Sequence, residues 1–305
     1  MNRVDLISLE EMNLAIKESG YLLELDVTSE LTKKGFITQM NDSYVDPVTS
    51  KTRELDISAT YYGKIDDKKL HTISTELIIE CENNKQPVVL FKDNSSNAEF
   101  SLDRSYDIKI SGNPLEIKLD GEISSFHIFS GILSNHHYSS VTPCTQYCSF
   151  HKPKGNSKKW IAHHPDCQHN TFHNLINCLD YRIRQNSDYY FRTQLLEGRV
   201  NPYIYITIHL PLIVLNSHLY EAEYKNEELT LTKKDYLQIK IDRIVDKQII
   251  VNHIDIITRR FLNEYIEWII YEVQYLERII LADLTTLEAE TVRNFIAYTK
   301  EFDKG

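Results

Sequence analysis

The spacing of the apolar residues changes at Phe36, and that change restricts the chain to a fold that mixes helices with a sheet. Before it, SLEEMNLAIKE (residues 8–18) has Ser8 with Glu11 three positions on, the signature of a capping box, and Leu9, Met12, Leu14 and Ile16 follow. Gly20 separates this segment from YLLELDVTSELTKKGF, where Leu22, Leu23, Val27 and Leu31 recur at helical spacing and Gly35 stands at the position of a C-terminal cap. A second helix is expected from about Tyr21 to Lys34.

Beyond Phe36 the segments are short, β-branched and aromatic. The region around Ile37, Arg53 to Tyr61 and Leu70 to Glu82 read as three strands, antiparallel because their connections are short. Val88 to Phe91 forms a brief apolar run. Weak strand signals at Tyr106 to Ile110 and Leu115 to Leu119 lie within a region (93–140) that reads as an insertion. A hairpin around Lys152 to Lys159, a helix from about Thr171 to Arg184 and the strongest strand signal, Tyr203 to Leu215, come next. The tail offers strands at Tyr220 to Tyr224, Tyr236 to Ile244 and Ile249 to Ile257. It closes with a long helix, Arg259 to Ala282, and a last one near Thr286 to Thr299. No Pro/Gly/Ser linker marks a boundary, so 305 residues are expected as one α/β domain.

The strand period puts Glu54, Asp56 and Ser58 on one face, with Leu55, Ile57 and Ala59 on the other. It also groups Glu80 with Glu82 at the end of an apolar strand. If the two strands pair, Asp56, Glu80 and Glu82 converge. Such acids resist joint ionisation without a cation. Oxygen donors alone suit Mg²⁺ or Mn²⁺, the ions used to hydrolyse phosphodiesters. The spacing by itself is a weak pattern, and taken alone it reads as solvated acids on a strand edge.

Three runs, GYLLELDVTSELTKKGF, YVDPVTSKTRELDISA and LIIECENNKQPVVLF, resemble the PD-(D/E)XK nucleases, the restriction-endonuclease-like proteins of bacterial defence loci. The resemblance covers about the first 215 residues and extends loosely through TPCTQYCSF and the strand ending PLIVLN. It implies a restriction-endonuclease-like core, a mixed sheet flanked by helices, from about 8–92 and 141–215. The 93–140 insertion and a C-terminal helical extension (216–305) would be added to it. Position by position, Asp56 corresponds to the metal-binding aspartate, Glu80 to the acid of the E-x-K pair and Glu24 to the acid on the preceding helix. Glu82 departs from the pattern, standing where the family has lysine, so a catalytically inactive relative stays open beside an active one.

The net charge of -10 argues against nonspecific adhesion to nucleic acid. A DNA or RNA contact must therefore be local, and the densest basic stretch is Lys152, Lys154, Lys158 and Lys159, closed by Trp160. Five cysteines are not a secreted disulfide framework. Cys144, Cys148, His151, His163, His164, Cys167, His169 and His173 crowd together but match no standard zinc framework, so buried thiols and loop histidines are expected rather than a structural Zn²⁺. The sequence lacks an apolar run of membrane length and a secretory signal, which leads to an expected cytoplasmic location without a membrane partner. The reading is a Mg²⁺- or Mn²⁺-dependent endonuclease acting on DNA, in a homo-oligomer or with a protein partner of a defence complex. The alternatives are an inactive nuclease-like binding subunit and an RNA-directed nuclease.

Overall fold

The computed structural model describes residues 6–65, 71–92, 107–119, 121–152, 159–163, 169–197, 201–245 and 247–302. Helix α1 (Leu9–Glu18) starts where the sequence signals it. Ser8 Oγ accepts from the Glu11 amide at 3.2 Å, and Glu11 Oε2 accepts from the Ser8 amide at 2.9 Å. Because α1 buries no residue, capping rather than packing sets its start. Helix α2 (Tyr21–Lys33) buries Leu23, Val27 and Leu31. It ends at Gly35, whose φ of 90° suits a residue without Cβ.

Strands β1 (Ile37–Val45), β2 (Thr52–Tyr62) and β3 (Thr72–Glu82) form the expected antiparallel meander. After them come β4 (Val88–Lys92), β5 (Lys109–Asn113), the hairpin β6 (Glu116–Leu119) and β7 (Glu122–Ser125), and α3 (Phe126–Ser130). Strands β8 (Cys144–His151) and β9 (Ile161–His163) form a hairpin before α4 (His169–Glu197), which is longer than its sequence signal. The remaining elements are β10 (Tyr205–Leu215), β11 (Leu219–Lys225), β12 (Glu228–Lys234), β13 (Tyr236–Val245), β14 (Gln248–Thr258), α5 (Leu262–Ala282) and α6 (Leu284–Phe302).

One large mixed sheet runs in the order β1-β2-β3-β10-β14-β13-β8-β4-β11-β12. Strand β10 lies parallel to β3 along its whole length. On its other edge it pairs antiparallel with β5 over Tyr205–His209 and parallel with β14 over Leu212–Leu215. Segment 216–305 thus supplies interior strands as well as the terminal helices, and β5 brings part of segment 93–140 into the same sheet. The β5–β10 approach is close at Gly112, where an added Cβ would lie 1.8 Å from the Tyr205 carbonyl oxygen.

Both faces of the sheet are covered. Ile206, Ile208, Leu210, Leu212 and Val214 of β10 pack with α2 and α5, whereas Ile213 and Leu215 pack in a second cluster with Phe172, Leu175, Ile176 and Leu179 of α4. A strand buried on both faces must be apolar throughout, which is why Tyr203–Leu215 gives so strong a signal. Each fully buried Ile or Leu contributes about 1.5–3 kcal/mol of transfer free energy. No helix among the described residues is long and apolar enough to cross a membrane.

Candidate metal centre

Strands β2 and β3 stay in register through Ile57 opposite Ile79, and the ladder stops there. Asp56 and Glu80 are the next residues on each strand, so their side chains meet where the strands part. The Asp56 side chain takes over the broken ladder: Oδ2 accepts from the Cys81 amide at 2.8 Å. The alternation expected along β2 fails at this point. Leu55 packs in the α4-side cluster with Tyr44 and Ile78, while Ile57 and Ala59 pack on the α2/α5 side. Strand β2 is still paired with β1 on either side of Asp56, but that ladder skips Asn41, whose φ is 49°, between Met40 opposite Ile57 and Asp42 opposite Leu55.

The two carboxyls lie close enough to perturb each other directly. Burial, then the Asp56 charge, pushes the Glu80 pKa up to about 9. Burial also raises Asp56, against the opposing hydrogen bonds from Cys81 and Glu80. Glu82 is raised by burial, and Thr171 at the start of α4 opposes this by donating its hydroxyl to Glu82 Oε1 at 3.0 Å. Glu24 on α2 is raised by partial burial and by the Asp56 charge, and it raises Glu80 in turn. Asn83 holds the α1–α2 junction near this end of β3, donating to the carbonyls of Glu18 at 3.2 Å and Ser19 at 2.9 Å. The sequence-predicted acids Asp56, Glu80, Glu82 and Glu24 are therefore within electrostatic reach of one another.

What sets this group apart is its lack of a cation. Buried acids elsewhere are paired: Glu76 with His209 and Arg182, Asp42 with Arg182, and Asp46 with Arg53. Among the described residues no Lys, Arg or His forms an ion pair with Asp56, Glu80 or Glu82. Lys85, three residues beyond Glu82, is 74% exposed and lies 3.9 Å from Glu18 instead. The donor set is all oxygen and anionic, which fits a hard divalent ion such as Mg²⁺ or Mn²⁺.

Glu80 ionises near 4.5 when unfolded and near 9 in the metal-free fold, so the fold binds the extra proton between these values. Its contribution is fully present below pH 4.5 and is lost as pH rises toward 9. In EDTA, the melting temperature of the wild type will therefore fall between pH 5 and pH 8.5 relative to Glu80→Gln. Added Mg²⁺ will reduce that difference.

No family model, curated protein or solved structure matches this chain. The site therefore rests on its own residues.

The basic stretch is a separate feature. It lies at the β8–β9 hairpin, where Lys152 sits 4.7 Å over the Trp160 ring, and Lys159 and Trp160 are exposed. Lys154 and Lys158 fall outside the described residues. Of the cysteine and histidine cluster, Cys144 belongs to the α4-side core and Cys148 to a small cluster with Val89 and Ala222. Burial pushes the Cys144 thiol up to about 12. Cys167 and the side chains of His163 and His169 lie outside the described residues.

Two polar networks escaped the sequence reading. In one, Ser111 Oγ lies 2.7 Å from His209 Nε2, and His209 Nδ1 lies 2.8 Å from Glu76 Oε2, which in turn faces Arg182. The connectivity is that of a nucleophilic triad, but Ser111 is fully buried and no substrate carbonyl can approach it. In the other, His137 bridges Asp255 and Glu272. The available signal was the same for both: a polar residue inside an apolar strand, His209 in YITIHLPLIVL and Asp255 in QIIVNHIDIIT.

Proposed function

We propose that this chain is a divalent-metal-dependent nuclease that hydrolyses DNA phosphodiester bonds, with a restriction-endonuclease-like core and a cytoplasmic role in antiphage defence. The observation that carries the reading is the Asp56–Glu80 pair at the parting of β2 and β3, half-buried, in direct electrostatic contact and, among the described residues, without a partner cation. Asp56, Glu80 and Glu24 would hold the ion. When bound, it supplies positive charge for the phosphate and a water of lowered pKa.

The chain's own groups do the rest. Glu82 occupies the position that the resembling family gives to lysine, and its raised pKa brings it closer to neutral pH, as a base needs. Thr171 fixes Glu82 through Oε1, leaving Oε2 to take a proton from the attacking water. The Lys152–Trp160 hairpin offers a phosphate contact that the overall negative charge does not. Exposed Leu9, Met12, Leu14 and Ile16 on α1 support a second copy or a protein partner.

That no lysine pairs with these acids among the described residues favours a second reading, an inactive relative that binds DNA or a partner protein. Digestion of plasmid DNA and of RNA in Mg²⁺ and Mn²⁺, with wild type and Glu82→Lys, separates the two. The enzyme reading expects cutting of DNA by the wild type. Cutting only by Glu82→Lys would mark a degenerate copy, and preferential cutting of RNA would change the substrate class.

A further inference from the structure

A second cluster of ligating side chains lies on the α5 face of the sheet. The turn residues His136 and His137 pack there against Glu272 of α5 and Asp255 of β14. His137 Nδ1 lies 2.7 Å from Glu272 Oε1, and His137 Nε2 lies 2.8 Å from Asp255 Oδ2. Asp255 is itself held by the hydroxyl of Tyr265 at 2.7 Å, the amide of Gln238 at 3.1 Å and the hydroxyl of Tyr236 at 3.2 Å. The His136 ring stacks on His137 at 4.3 Å. Its Nε2 is fully buried, has no hydrogen-bond partner among the described residues and lies 3.5 Å from Glu272 Oε2. One donor atom from each of His136, His137 and Glu272 falls within 4.8 Å of the others. Above them opens a cleft of about 430 Å³, lined also by Asn135, Trp268 and Tyr271.

We infer that His136, His137 and Glu272 form a binding site for a transition-metal ion of the Zn²⁺ class, separate from the Asp56–Glu80 centre. Two imidazoles and a carboxylate select Zn²⁺, Co²⁺ or Ni²⁺ over Mg²⁺. Metal–ligand bonds of about 2.0–2.2 Å put adjacent ligand atoms of a tetrahedron roughly 3.3 Å apart, close to the 3.5 Å between His136 Nε2 and Glu272 Oε2. Asp255 has the place of the outer carboxylate that orients a ligating imidazole: it takes the Nε2 proton of His137 and points Nδ1 at Glu272. Loading would displace the Nδ1 proton of His137 to solvent, with Glu272 binding through Oε2 while Oε1 keeps the His137 backbone amide at 2.7 Å. It also gives up the 3.2 Å hydrogen bond from the Tyr138 amide to His136 Nδ1, because that ring must carry its proton on Nδ1 to offer Nε2. Three protein ligands leave one position facing the cleft, where water or a small oxygen ligand completes the shell.

The test is a Co²⁺ titration of the full chain carrying Asp56→Asn and Glu80→Gln, which disables the first centre. One Co²⁺ per chain is expected, with the visible bands of four- or five-coordinate cobalt, no thiolate charge-transfer band, and displacement by Zn²⁺. Glu272→Gln and His136→Gln will each weaken binding at least tenfold, and Asp255→Asn will weaken it by roughly 10- to 100-fold, with circular dichroism confirming the fold. If Glu272→Gln does not fold, His136→Gln decides, since among the described residues that ring makes only the Tyr138 hydrogen bond. Absence of stoichiometric Co²⁺ binding, binding unchanged in His136→Gln, or a thiolate band would each overturn the assignment.

Discussion

Alanine at Asp56 or at Glu80 will reduce metal-dependent cleavage of plasmid DNA by more than roughly a hundredfold, the scale on which a single preorganised electrostatic group acts in catalysis. Each carboxylate is proposed to bind the ion directly, and neither Glu24 nor Glu82 stands in its place at the parting of the strands. The fold will tolerate the two changes differently. Asp56 accepts the Cys81 amide, so Asp56→Ala leaves that donor unsatisfied, at a cost of about 1–3 kcal/mol, while Asp56→Asn keeps an acceptor. Glu80→Gln removes a carboxyl whose ionisation the site opposes, and it should leave the metal-free chain at least as stable as the wild type near neutral pH. Cleavage lost in Asp56→Asn and Glu80→Gln with melting temperatures preserved is therefore a loss of chemistry and not of structure.

His137→Ala will lower stability more than any substitution at the proposed nuclease centre. His137 stands between two buried carboxylates, and its removal strands both without their cation. Breaking a buried ion pair from one side costs about 3–5 kcal/mol. At about 2–4 °C per kcal/mol for domains of roughly 150–250 residues, the melting temperature should fall by on the order of 10 °C. The effect has a pH signature. Burial works against the charged ring, but Glu272 and Asp255 hold its pKa up at about 10. The stabilisation is thus fully present below the unfolded histidine value near 6.5 and lost as pH rises through 10. Melts in EDTA at pH 6.5 and pH 10 should show the wild-type advantage shrinking at the higher pH.

The elements legible in the sequence were those set by local rules. Ser8 and Glu11 marked α1, Gly35 closed α2, and the β1–β3 meander followed from short connections. The convergence of Asp56 and Glu80 was legible for the same reason, since neighbouring antiparallel strands have a register that chain order nearly dictates. The alternation rule failed at Leu55 because it presumes intact ladders on both sides, whereas the β2–β3 ladder ends at Ile57 opposite Ile79 and the β1–β2 ladder is interrupted at Asn41. The sheet order was not legible: β14 and β13 enter between β10 and β8, and no local periodicity encodes a pairing across that separation. Strand β12 was missed because it lies at the sheet edge with an almost wholly exposed pattern. The His137–Asp255–Glu272 network was missed because its partners lie 118 and 135 residues from His137. Burial alone makes those polar residues significant, and burial is a property of the assembled layers.

Asp56 and Glu80 are proposed to share one hard divalent ion. Calorimetric titration of the wild type and of Glu80→Gln with Mg²⁺ tests it most directly, without reference to any substrate. One site in the wild type, weakened at least tenfold in the variant, is the expected result. Identical isotherms for the two proteins, or no Mg²⁺ binding by either, would contradict it.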